Sequence, residues 1–99
     1  MNRCLELARF RLLPSATVDG FLARMASLDA WPARRPGFRS RRLALDGEGW
    51  LDIVEWETAA HAQEAMAASQ EDPTLLQAFA DLDMTSFEAR HVELVHAAP

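Results

Sequence analysis

The sequence predicts an α+β fold in the chain order β-α-β-β-α-β, and three observations carry that reading. Apolar residues change spacing along the chain, from strand-like runs to helical stripes and back. A turn signature, Asp46-Gly47-Glu48-Gly49, sits at the centre between two apolar runs. Charge falls in blocks: residues 1–42 hold nine arginines against three acids, and residues 43–99 hold one arginine against twelve. The resulting net charge of −5 over 99 residues, with 49% hydrophobic residues, fits one globular domain spanning 1–99.

The first strand is Arg3 to Leu13, closed by Pro14-Ser15, where proline removes a ladder donor and a turn follows. Val18, Phe21, Leu22, Met25 and Leu28 then form the stripe of an amphipathic helix, with Thr17 as N-cap, Asp19 at the positive end of the dipole and Pro32 as the stop. After the turn Pro36-Gly37, Phe38 to Leu45 and Trp50 to Glu57 read as a hairpin of second and third strands. Thr58 caps a second helix through Gln70, whose inner positions Ala59, Ala62, Ala65 and Met66 are mostly small. Asp72-Pro73 breaks it, Thr74 restarts a short helix carrying Leu75, Leu76, Phe79 and Leu82, and Met84 to Val95 is the last strand.

That order is the ferredoxin-like, split βαβ arrangement: a four-stranded antiparallel sheet in the order 4-1-3-2 with its helices on one face. Charge supports the order independently. Laid out as 4-1-3-2, Glu88 and Glu93 lie beside Arg9 and Arg11, these beside Glu55 and Glu57, and these beside Arg39, Arg41 and Arg42. Opposite charges on neighbouring strands stabilise the sheet by ~0.2–1 kcal/mol per pair.

A half-buried antiparallel strand alternates apolar with polar residues, and these strands do not. Leu5 and Leu7 oppose Ala8, Phe10 and Leu12; Leu51 and Ile53 oppose Trp50, Val54 and Trp56; Val92 and Leu94 oppose Phe87, Ala89 and Val95. Two helices cover one side only, so the other side calls for a partner, and a twofold homodimer, sheet against sheet, is the economical one.

A chain of this order, with Pro36-Gly37-Phe38 opening the second strand and Trp56-Glu57-Thr58 closing the third before an Ala-rich helix, resembles the dimeric α/β-barrel superfamily. More narrowly it is similar to the antibiotic-biosynthesis-monooxygenase-like domains. The resemblance implies two sheets closing a barrel in a dimer, and a ligand cleft in each subunit between sheet and helices. Some members oxygenate aromatic polyketides or quinols without metal or flavin, and some degrade haem. The haem-degrading pattern of an Asn in the first strand, with a Trp and a His in the second helical region, has no counterpart here: the chain holds no Asn beyond Asn2 and no Trp after Trp56.

Trp50, Asp52 and Trp56 alternate on one strand face, so two indoles could stack on a planar ligand while Asp52 takes a proton; the alternative is two core residues and a carboxylate paired with an arginine. His91 lies mid-strand as a candidate general base, or as a half-buried histidine bonded to a carboxylate. Arg42 is the candidate to hold an anionic group at the cleft mouth, while His61 and His96 are expected in solvent. Three scattered histidines and the lone Cys4 lack metal-ligand spacing, so no metal and no cofactor are expected.

Five arginines in nine positions, Arg34 to Arg42, raise nucleic-acid binding, but the negative net charge and the acids on the next strand argue against it. No run reaches the ~18 apolar residues of a membrane span, and a single unpaired cysteine with no leader-like start fits the cytoplasm. Two functions are left open. One is a homodimeric protein binding a small apolar or aromatic molecule; the other is a cofactor-independent monooxygenase acting on a phenolic or quinol-like substrate.

Overall fold

The computed structural model describes residues 2–99. Strands β1 (Arg3–Leu12), β2 (Phe38–Asp46), β3 (Gly49–Trp56) and β4 (Leu82–Leu94) form one antiparallel sheet in the order β2-β3-β1-β4, the predicted 4-1-3-2 read from the other edge. Helices α1 (Val18–Ser27) and α2 (Ala30–Ala33) connect β1 to β2, and α3 (Ala59–Gln70) and α4 (Pro73–Ala78), followed by a 3₁₀ turn at Phe79–Asp81, connect β3 to β4. None of these helices is long and apolar enough to cross a membrane.

The caps are those the residue types favour. Thr17 accepts from the Gly20 N–H, Thr58 from His61, and Asp72 from Thr74, each satisfying a first-turn donor that the helix itself leaves free. Pro32 does not stop the first helix, contrary to expectation. That helix ends at Ser27, and Pro32 lies within α2, so early that its missing N–H has no partner to lose. In the β2–β3 hairpin Asp46 pairs with Gly49 across a two-residue turn, and Gly47 takes φ +63°.

Every helix lies on the sheet face that carries Cys4, Glu6, Ala8 and Phe10 of β1. The core there forms two clusters. Under α1, Phe21 and Met25 pack on Phe10, Trp50, Ala78 and Leu82. Under α3, the fully buried Ala62 and Ala65 let the helix approach Cys4, Val54 and Trp56. Ala59 and Met66, expected inside, are exposed.

Among the described residues the opposite face has no helix. Leu7 pairs with Ile53, Leu5 with Val92, Arg9 with Leu51 and Arg3 with Leu94, so an apolar strip crosses β3, β1 and β4. Charged residues flank it: Glu55 accepts from Arg3 and from Arg39, at 3.2 Å each. Of the cross-strand pairs expected from the strand order, Arg39 with Glu55 and Glu57 forms on this face, whereas Arg9, opposite Glu88 in register, is bonded at 3.0 Å to Asp46, and Arg41 lies on the helical face.

Candidate functional site

Between the two core clusters the helices stand away from the sheet, leaving a cleft of about 520 Å³. Its floor is the sheet: Glu6, Ala8 and Phe10 of β1, Asp52, Val54 and Trp56 of β3, Arg41 of β2, and Phe87 and Ala89 of β4. The helices supply its walls, with Trp31 on one side and Ala65, Met66, Leu75 and Phe79 on the other. Ala8 and Ala89 are register partners at the centre, and two methyl groups side by side are what keep the floor low. Phe10 and Phe87 stack at 6.3 Å, and Phe79 meets Phe87 edge-on at 6.0 Å.

Charged groups enter this apolar space as pairs. Arg41 Nε and Nη2 donate to the two oxygens of Asp52 at 3.1 and 2.9 Å, a bidentate fork. Nη1 donates to Asp29 at 3.1 Å and to the Met25 carbonyl at 3.4 Å, and Nη2 also contacts Met25 Sδ at 3.3 Å. Burial by itself would lower the Arg41 pKa, but the hydrogen bonds and charges of Asp52 and Asp29 outweigh it and hold the guanidinium firmly protonated. His91 Nε2 lies 3.2 Å from Glu6 Oε1. Trp31 Nε1 donates to Asp72 at 3.0 Å, which ties α2 to the start of α4 across the cleft wall.

Two further groups define what the site can do. Trp56 is buried, and its Nε1 has no acceptor among the described residues. The Cys4 thiol is pushed up by burial and secondarily by the Glu6 charge, which keeps it from serving as a thiolate nucleophile. Among the described residues no three His, Cys, Asp or Glu side chains gather as metal ligands would.

The structure brings Asp52 and Trp56 together in the cleft and sets His91 beside it through Glu6. Trp50 shares their face but not their space: it lies under α1, 5.0 Å from the Phe21 ring and 7% exposed. Arg42 is on the other side of the sheet, in register with Ile53 of the open face, and Arg41 is the arginine of the cleft. The cause is a bulge at Arg39, where Phe38 pairs with Trp56 but Ser40 with Glu55. Parity counted from Phe38 puts Arg42 with it, and the extra residue reverses that assignment. His61, expected in solvent, is half-buried, with Nδ1 2.9 Å from Thr58 Oγ1. Glu6 and Trp31 carried no signal beyond their types; only the fold places them here.

No model of a protein family matches the sequence, and no curated protein matches it. Solved structures do. A monooxygenase from the gene ActVA-Orf6 of Streptomyces coelicolor, in complex with nanaomycin D, superposes with a TM-score of 0.74 at 16% identity, over 99% of this chain and 92% of that one. SnoaB, a cofactor-independent oxygenase from Streptomyces nogalater, gives 0.68 at 19% identity, over 100% and 97%. A Bordetella bronchiseptica protein assigned to the antibiotic biosynthesis monooxygenases gives 0.73 at 16%, over 97% and 100%. At these identities the likeness speaks for architecture. The chain has the ferredoxin-like fold of the antibiotic-biosynthesis-monooxygenase-like proteins, along its whole length.

Proposed function

We propose that this protein is a homodimer that binds a small apolar or aromatic molecule in the cleft between its sheet and its helices. The observation that carries the reading is the cleft itself. At about 520 Å³ it has the volume of small-molecule sites, an aromatic lining from Trp31, Trp56, Phe10, Phe79 and Phe87, and few polar groups. The same fold holds nanaomycin D in the Streptomyces coelicolor enzyme. The second copy is called for by the other face, where Leu5, Leu7, Leu51, Ile53, Val92 and Leu94 have no helix over them, and the lone thiol of Cys4 fits a cytoplasmic setting.

The test fills the cleft without touching the packed clusters. Ala89 is exposed on the floor, so Ala89→Trp occupies the space a ligand needs. The wild type should quench its tryptophan fluorescence saturably with 2-naphthol, and the variant should lose at least about tenfold in affinity with an unchanged melting temperature. Equal binding by both proteins would place the ligand elsewhere and refute the reading.

A second reading, a cofactor-independent monooxygenase acting on a phenolic or quinol-like substrate, is favoured by Glu6 at the cleft floor with His91 behind it, 3.2 Å away. Such a pair can take a phenolic proton, which raises the electron density of the ring toward dioxygen. Asp52 is less free for that task, since Arg41 occupies both its oxygens. An oxygenase would consume dioxygen with an electron-rich naphthol and lose that activity in His91→Ala; a binding protein would show only the thermal shift.

A further inference from the structure

The cleft's charged groups discriminate among ligands. Resting on the reading that a small aromatic molecule binds there, we infer that the preferred ligand carries an amine, an arylalkylammonium whose positive charge meets Glu6, and that aromatic carboxylates and phosphates are rejected.

Two independent observations support this. Arg41 is the one cation among the described residues lining the cleft, and its donors are spent. It has five N–H groups, and five acceptors face them: both oxygens of Asp52, one of Asp29, the Met25 carbonyl and the Met25 sulfur. An anionic ligand would have to displace Asp52 or Asp29 from a fork already in place, and would meet their charges while doing so. Glu6 is in the opposite condition. Oε1 lies 3.2 Å from His91 Nε2, Oε2 has no partner among the described residues, and the side chain is 25% exposed at the cleft floor. A half-buried carboxylate with an open oxygen, beside the low floor of Ala8 and Ala89, is an acceptor awaiting a donor. Trp56 Nε1, without an acceptor among the described residues, is neutral and sets no charge preference.

The geometry thus gives a ligand its ring on the Ala8 and Ala89 floor and its ammonium toward Glu6. The test uses three ligands of one shape: 2-(2-naphthyl)ethylamine, 2-(2-naphthyl)ethanol and 2-naphthylacetate. Their affinities for the 99-residue chain are measured by calorimetry at pH 8. The amine should bind at least about tenfold more tightly than the alcohol, and the carboxylate more weakly than both. Glu6→Gln should bring amine and alcohol to within about threefold of each other.

Equal affinities for all three in the wild type would overturn the charge inference and leave the cleft reading standing. So would a carboxylate that binds as well as the alcohol, because Arg41 would then be available after all. An amine preference that survives in Glu6→Gln would overturn the assignment to Glu6. Failure of all three to bind would overturn the proposed function itself, and this inference with it. Should Glu6→Gln fold poorly, the wild-type ranking of amine against carboxylate decides the matter alone.

Discussion

At the scale of the residue, two positions illustrate how local chemistry holds the site in place. Gly37 sits at φ +82°, which only glycine adopts without strain, and a Cβ there would overlap the His61 ring. Its carbonyl also accepts from Glu57 at 2.8 Å, fixing the end of β3 just after Trp56. Gly37→Ala should therefore destabilise by at least ~2 kcal/mol in urea unfolding, more than a surface substitution costs. Asp83 is held below the usual carboxylate range by two hydrogen bonds from Thr85, from its hydroxyl first and its backbone N–H second. A depressed carboxylate contributes stability that is present above its unfolded value of 3.8 and is lost as pH falls through the lower folded value. The urea midpoint of the wild type should exceed that of Asp83→Asn at pH 6, and the gap should narrow as pH falls below 3.8.

At the scale of the element, the cleft exists because two crossovers hold each other apart from the sheet. One carboxylate joins them: Asp72 caps α4 through the Thr74 N–H and accepts the Trp31 indole of α2. Asp72→Ala removes a cap and a half-buried bond together, so it should cost ~1–2 kcal/mol in stability and weaken 2-naphthol binding, a fluorescence titration deciding the second point.

Much at this scale was legible in advance. Thr17 and Thr58 announced their helices, Asp46-Gly47-Glu48-Gly49 its hairpin, and the block charges the strand order. What sequence could not convey was sidedness. The bulge at Arg39 shifts β2 by one residue, which turns Arg41 into the cleft and Arg42 out of it, and nothing in the residue types marks a bulge there. A second irregularity, between Arg9 and Arg11 along β4, is held by Ser86, which accepts the Arg11 N–H and donates to the Asp83 carbonyl. It spans Phe10 and Phe87, whose stacked rings form the aromatic end of the cleft. Trp50 shows the complementary limit: parity put it on the correct face, but only packing under α1 removed it from the ligand space.

For the whole molecule, the account assigns the two faces of one sheet to different tasks. The helical face carries a cleft with paired charges, and the open face carries an apolar strip flanked by Arg3, Glu55 and Arg39. The proposed second copy, related by a twofold axis, would cover that strip. Sedimentation equilibrium of the 99-residue chain across the micromolar range puts that division to the most direct trial. The account predicts a species of twice 11.1 kDa, driven back to a folded single subunit by Ile53→Glu at the centre of the strip. A wild-type protein that stays at 11.1 kDa at the highest concentration would contradict it.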